Sequence, residues 1–435
     1  MTHGPVARAA KRQLTSAAAR LLCAAFLLCL AASLVPSLAA DKEAAPMKHW
    51  QVGTPIVTYW AGPAMTDAVA KQMADGGFNL VWCTEKELDV AQRHGLRAML
   101  HGGPVAPSSL DTPEQRAQLD AYIDRVKSHP ALYCYFITDE PSAATFPAWG
   151  KLFAYLRERD PAHMAYLNLL PTYATNEQLG TKGDVVTAYK EHLRQYIDVV
   201  KPELLSWDHY QFMVGGRDTG QYFLNLALIR EASQKSGIPF LNIVQAASWE
   251  AGVRVPTPDE VRYLVYTTLA YGAQGISYYV YCCGGHTGMI ANADGSPTAL
   301  YGPLCTMNRE FAAIAAQLQP LKSLTIYQAG MLPEACVALP ANAPFRFDPP
   351  VAPMAYAPPA KVKGLMLAYF GTPGKPTHVL AVNLDYEKSV KTSVVGPGAL
   401  EVFNPKTGAW KASPNGARAN MLLMPGGGKL LRVVE

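Results

Sequence analysis

Eight short apolar runs of four to seven residues, separated by amphipathic stretches, occupy residues 55–321 and constrain the chain more than any other feature. They fall at 56–60, 79–83, 97–101, 132–138, 164–170, 204–207, 240–245 and 276–281. Short β-rich runs alternating with helical segments are the pattern of repeated strand–helix units, whose strands pair in parallel. Eight units predict an α/β fold closed into a (β/α)8 barrel. An open doubly wound sheet is the competing architecture, but it needs a glycine-rich phosphate loop after its first strand. Here that strand runs instead into Tyr59-Trp60-Ala61-Gly62-Pro63.

The segments between the runs carry helix signals. Thr112, Pro113 and Gln115 supply an N-cap, a first-turn proline and a capping partner, and Leu119, Tyr122, Ile123 and Val126 follow at the spacing of one helix face. Thr257, Pro258 and Glu260 repeat the start signal. Beyond 321 the pattern changes to short alternating runs at 364–370, 378–384, 400–403 and 429–433, preceded by a proline-rich stretch at 340–359. Strands that bury one face each predict a small all-β, sandwich-like domain at 322–435 after a barrel at 41–321. The proline-rich piece is either a linker or is packed down by Phe345 and Phe347.

The first 40 residues contain Arg8, Lys11, Arg12 and Arg20 but no acid, then an apolar run at 21–35 and small residues at Ala39 and Ala40. This is the layout of a signal peptide cleaved near Asp41, and the run is short of the roughly 20 residues a membrane span needs. An exported, periplasmic or extracellular protein without stable membrane insertion is expected. Those four cations account for the formal charge of +4, leaving 34 basic and 34 acidic residues beyond them. A balanced surface argues against a nucleic-acid partner. Six cysteines remain after cleavage, with no zinc spacing; Cys282 and Cys283 can pair with each other, or one of them with Cys305.

A (β/α)8 barrel places its chemistry at the C-terminal ends of its strands. The fourth run ends Thr138-Asp139-Glu140-Pro141, the sixth Trp207-Asp208-His209-Tyr210, and the seventh is followed by Ser248-Trp249-Glu250. Glycosidic cleavage needs one carboxyl to protonate the departing oxygen and a second to attack or to activate water. Glu140 is the leading acid, and Asp208 or Glu250 its partner. Asp139 either raises the Glu140 pKa by like-charge repulsion or points into the scaffold. His209 and Tyr210 either contact sugar or form a hydrogen-bonded wall. Tyr59, Trp60, Trp82, His101, Tyr173, Trp249 and Tyr281 are candidate stacking platforms, and Asn168 and Gln245 candidate partners for sugar hydroxyls. No cofactor is required and no metal ligand set is legible; oligomeric state is not encoded in any pattern recognised here.

With these residues in place, the barrel resembles the superfamily of retaining (β/α)8 glycoside hydrolases that includes many β-galactosidases and cellulases. The likeness spans about 55–321 and includes Tyr271-Gly272-Ala273-Gln274-Gly275, Asp294-Gly295-Ser296 and Asn308-Arg309-Glu310. In that superfamily an Asn-Glu-Pro motif closes the fourth strand with the acid/base, which implies that role for Glu140. A glutamate ending the seventh strand is the nucleophile, which implies that role for Glu250. Two departures stand out: Asp139 replaces the asparagine, and Glu250 lies five positions beyond Gln245. The resemblance implies a carbohydrate substrate. A carbohydrate-binding barrel without turnover and a sugar lyase or isomerase are the alternatives.

Overall fold

The computed structural model describes residues 54–434 except 216–219, 251 and 359; the expected signal peptide lies outside the described residues. Eight parallel strands form one sheet: β1 (Ile56–Val57), β2 (Leu80–Cys83), β3 (Arg97–Leu100), β4 (Leu132–Asp139), β5 (Met164–Leu169), β6 (Leu205–His209), β7 (Phe240–Gln245) and β8 (Gly275–Tyr279). The order is β1-β8-β7-β6-β5-β4-β3-β2, so each strand follows its chain neighbour around a near-closed barrel.

The seam falls between β1 and β2, where a side chain completes the ladder. Asn79 donates its backbone N–H to Val57 O (3.0 Å), accepts the Val57 N–H on Oδ1 (2.9 Å), and donates Nδ2 to Pro55 O (2.9 Å). Further up, the Tyr59 hydroxyl receives the Trp82 N–H at 3.1 Å. Tyr59 is thereby fixed in the barrel wall.

The expected helix signals form as read. The Thr112 side chain accepts from Gln115 N at the start of α3 (Pro113–Val126), and Leu119, Tyr122, Ile123 and Val126 are its buried face. This helix follows α1 (Asp67–Asp75) and α2 (Leu88–Arg93). Thr257 and Glu260 close a full capping box ahead of the helix Pro258–Ala270, and Arg254 pairs with the same Glu260 carboxylate at 2.6 Å. Inside the barrel, Ile56, Leu80, Met99, Cys134, Met164, Leu241 and Ile243 form an apolar plug, with Trp60, Trp82, Phe136 and Tyr279 packed against it. The plug closes one end, so polar chemistry is confined to the other.

After the barrel come β9 (Lys322–Gly330), β10 (Arg346–Asp348), β11 (Gly364–Thr372), β12 (Lys375–Asn383), β13 (Val390–Val395), β14 (Leu400–Asn404), β15 (Ala409–Ala412), β16 (Arg418–Leu423) and β17 (Gly428–Val433). They make a six-stranded sheet, β15-β14-β17-β12-β11-β9, and a three-stranded one, β10-β13-β16. One face of the larger sheet, with Leu365, Leu367, Val379 and Leu431, meets Phe345, Phe347 and Val394 in the sandwich core. The opposite face, with Met366, Ala368, Phe370, Leu380 and Val382, joins the barrel core. Burial on both sides explains why β11 and the end of β12 are almost continuously apolar rather than alternating. The proline-rich stretch is packed down by Phe345 and Phe347, of which the sequence had left the role open.

Replacing Asn79 by Ala leaves the buried Val57 N–H without an acceptor. Such a loss costs about 1–3 kcal/mol, so the variant should unfold at lower urea concentration than the parent with an unchanged m-value. Parental stability would mean that Asn79 does not hold the seam.

Candidate active site

The β4 and β5 strands lose register between Phe136 and Thr138, and beyond that irregularity Asp139 pairs with Asn168. Glu140 then turns out of the sheet with φ +46, a left-handed conformation that a non-glycine residue adopts at a cost of about 1–3 kcal/mol. Its N–H is held by Asn168 O at 2.9 Å. The asparagine side chain continues the support. Nδ2 donates to Asp139 Oδ1 (3.1 Å), while Oδ1 accepts from Ser206 Oγ (3.0 Å). Because Ser206 spends its proton there, Tyr166 must be the donor in the 2.7 Å contact between the two hydroxyls. Three neighbouring strands are therefore locked together at the base of Glu140.

Across the mouth, β6 presents Asp208 and Tyr210 on the inner side and His209 on the outer side, as strand alternation requires. Asp208 is 5% exposed, whereas Asp139 and Glu140 are exposed at the mouth while surrounded by protein. The Asp208 carboxyl is close enough to the Glu140 carboxyl and the Tyr210 hydroxyl for each to act on its protonation. Burial, then the Asp139 charge, raise the Glu140 pKa to about 7. Burial likewise pushes Asp208 well above the usual carboxylate range, reinforced by Glu140 and Asp139. Asp139 is also raised by burial, against the Asn168 hydrogen bond that lowers it. No lysine or arginine is among the groups acting on these three carboxyls. A close pair of carboxyls without a cation retains a proton into the neutral range. One of them can act as a general acid.

Rings line the mouth. Trp82 packs against Trp60 (5.1 Å between ring centres), Phe136 (4.6 Å) and His101 (5.5 Å). On the facing side Tyr210, Trp249 and Tyr279 converge at 4.7–5.1 Å. Tyr173, 42% exposed, receives the Tyr210 N–H on its hydroxyl at 3.3 Å. Among the described residues no three His, Cys, Asp or Glu side chains converge as metal ligands.

The candidate residues thus divide. Asp139, Glu140, Asn168, Asp208, Tyr210, Tyr173, Trp249, Trp60 and His101 stand in or around the mouth. His209 is fully buried, bonds Asn225 Oδ1 through Nδ1 (3.0 Å) and is held neutral by burial, which lowers its pKa to about 4. Gln245 is fully buried and clasps two loops, accepting from Phe212 N and donating to Phe212 O and Arg254 O. Tyr59 and Tyr281 are buried together behind the barrel wall, 4.9 Å apart. Glu250 is exposed on the loop after β7 and is not among the groups acting on Glu140 or Asp208.

Sequence reasoning passed over Tyr166, Ser206, Phe136, Tyr279 and His286. The first two share the inward parity of Asn168 and Asp208, which was the available signal. Tyr279 was hidden by placing the strand end at 281; β8 ends at Tyr279. The Tyr279 hydroxyl donates to His286 Nε2 (3.1 Å), because Nδ1 of that ring faces Cys283 O at 2.8 Å and must carry the proton. Cys282 and Cys283 form a disulfide with each other, and Cys305 is free.

No protein-family model and no curated protein matches the chain. Solved structures do. A catalytic mutant of a GH42 β-galactosidase from G. stearothermophilus aligns with TM-score 0.54 at 9% identity, covering 88% of this chain and 98% of that one. A putative α-galactosidase from Bacteroides fragilis NCTC 9343 gives 0.48 at 8% identity, covering 88% and 80%. A β-galactosidase from the psychrophilic Marinomonas ef1 gives 0.43 at 12% identity over 64% of this chain, which spans 63% of that protein's length. At such identities the likeness is one of fold.

The raised Glu140 pKa has a consequence for stability. Between its ordinary value of 4.5 and about 7 the folded protein binds more protons at this site than the unfolded chain, so the site destabilises the fold increasingly as pH rises through that window. Glutamine carries no charge. The melting temperature of E140Q should therefore exceed that of the parent by more at about pH 8 than at about pH 5. A difference independent of pH would contradict the shift.

Proposed function

We propose that the protein is a glycoside hydrolase that cleaves an O-glycosidic bond of an oligo- or polysaccharide, with Glu140 as proton donor to the leaving oxygen. The observation that carries this reading is the close pair of Glu140 and Asp208 at the C-terminal mouth of a (β/α)8 barrel. A leaving sugar oxygen is a poor leaving group until protonated, and a carboxyl that keeps its proton near neutral pH supplies that proton. The exposed position of Glu140 lets substrate reach it, while Asp208 beneath it sets how tightly the proton is held. The rings of Trp60, Trp249 and Tyr173 offer flat apolar surfaces for sugar faces. The fold shared with a β-galactosidase supports the reading as an analogy.

Export is part of the same proposal. The basic and apolar N-terminal segment supports it, and so does the Cys282–Cys283 disulfide, a bond favoured by oxidising compartments. Sequencing the N-terminus of protein recovered from the expressing cell should find cleavage near Asp41, and an intact Met1 would oppose it.

Glu140→Gln should fold and lower kcat by about 10²–10⁴-fold on glycosides with poor leaving groups, with a smaller loss on activated aryl glycosides. Parental turnover would exclude Glu140 as the acid. Binding of glycans by the parent chain with no product would favour a carbohydrate-binding barrel instead. Because Asp139 raises the Glu140 pKa, Asp139→Asn should move the basic limb of the kcat/KM profile to lower pH; a limb that stays in place would remove Asp139 from the electrostatics of the acid.

A further inference from the structure

The turn that follows β8 ties two of the mouth rings to a disulfide. Cys282 and Cys283, adjacent in the chain, are bonded to each other. The bond closes a small ring around their shared peptide, and Cys283 stands at φ +77, followed by Gly284 at +70 and Gly285 at +79. Left-handed backbone is ordinary for glycine and unfavourable for a residue that bears a side chain. The turn so made brings the Cys283 carbonyl onto His286, whose Nδ1–H it accepts at 2.8 Å, while Nε2 of that ring takes the Tyr279 hydroxyl proton at 3.1 Å. Thr287, next in the chain, exchanges backbone hydrogen bonds of 2.8 and 2.9 Å with Ser248, the residue before Trp249. One turn therefore holds Tyr279 through a side chain and Trp249 through the backbone.

These two rings belong to one wall of the mouth. They pack on each other at 4.9 Å and on Tyr210 at 5.1 Å for Tyr279 and 4.7 Å for Trp249. Tyr210 stands on the same inner side of β6 as Asp208, and Tyr279 is bridged to Trp60 where β8 meets β1. Both rings are half-buried and so present an open side. The Tyr279 hydroxyl spends its proton on His286, which leaves it only lone pairs for a ligand. It therefore receives a sugar O–H rather than donating to a sugar oxygen.

We propose that His286 and the Cys282–Cys283 disulfide are one positioning unit, which holds Tyr279 and Trp249 as a sugar-binding wall and makes that wall sensitive to reduction. The inference rests on the glycosidase reading and adds the residues that orient its binding surface. The disulfide is reachable from solvent, since Cys283 is half-buried and Gly284 and Gly285 are exposed. A dithiol that reduces it becomes a disulfide itself, and each cysteine sulfur gains one electron and one proton. Cys283 is then free to leave the left-handed region, and its carbonyl turns away from His286. The imidazole loses the contact that fixes its tautomer, and Tyr279 and Trp249 lose their fixed orientation. Glu140 lies outside the unit, held on β4 by Asn168, so reduction weakens binding rather than proton transfer.

The test compares the purified parent with H286A, Y279F and C282S/C283S, each with and without dithiothreitol. Nitrogen-15 NMR of the histidine-labelled chain at about pH 8.5, where imidazole is neutral, needs no turnover. The signal absent from H286A should show the Nδ1–H tautomer in the oxidised parent and lose it on reduction or in Y279F; an Nε2–H tautomer in the oxidised parent overturns the proposal. Kinetics use whichever p-nitrophenyl glycoside of gluco, galacto or manno configuration the parent cleaves fastest. Dithiothreitol and H286A should each raise KM by roughly 3–10-fold, the worth of one ring contact, with kcat changed by less than about twofold. Dithiothreitol should add nothing in H286A or C282S/C283S. Because reductant acts on the folded parent, the outcome does not depend on a variant that fails to fold. Parental KM after reduction and in H286A, or a fall in kcat as large as the fall in kcat/KM, overturns the proposal and leaves the glycosidase reading standing. Cleavage of no glycoside by the parent overturns both.

Discussion

Asn168 is the point on which the site depends. Its backbone oxygen holds the Glu140 N–H, its amide nitrogen holds Asp139, and its amide oxygen takes the Ser206 proton. A single side chain thus ties the ends of β4, β5 and β6 and fixes a glutamate in a conformation that it would not adopt unaided. A strained residue persists only where its surroundings over-determine it, and here the surroundings are a fully buried polar chain from Tyr166 through Ser206 to Asn168. That conformation turns Glu140 out of the sheet at the mouth, where it and Asp208 act on each other's protonation. Everything proposed about proton transfer follows from that placement.

The barrel has a graded interior for the same reason. Apolar side chains fill one end, and the rings of Trp60, Trp82, Phe136 and Tyr279 pack against them. Burial then raises the pKa of Glu140 and Asp208 more than any neighbouring charge does. The C-terminal sandwich contributes from outside. Its larger sheet packs one face on the barrel, and Arg230 reaches from the barrel to Ser323 and Leu324 at the start of β9. The resulting shared core makes the second domain a brace for the strands that carry the site.

Much of this was legible in the sequence because period and position report burial. All eight barrel strands were expected within about three residues of where they form, and β7 coincides with its expected span. Glu140 followed from the rule that barrels work at strand ends. What the sequence hid were contacts set by tertiary parity. His209 sits between Asp208 and Tyr210 in the chain yet faces outward to Asn225; Gln245 looked like a sugar ligand and instead fastens two loops. In the sandwich, β9, β10, β13, β15 and β16 were not foreseen, since short or partly exposed strands such as Ala409–Ala412 lack a strong apolar signal. The Cys282–Cys283 pairing was one of two open choices that spacing alone could not separate. The second carboxylate was the other, because Glu250 matched the resemblance whereas Asp208 lies beside Glu140 in space.

The central claim is that Glu140 and Asp208 share a proton into the neutral range. Carbon-13 NMR of the Glu- and Asp-labelled chain, with E140Q and D208N used to assign the two carboxyl resonances, measures this directly. Two coupled titration steps are expected, one near the Glu140 value of about 7 and the other displaced well above the ordinary range. Independent titration of both carboxyls near the ordinary values of 3.8 and 4.5 would contradict the shared proton and with it the assignment of Glu140 as the acid.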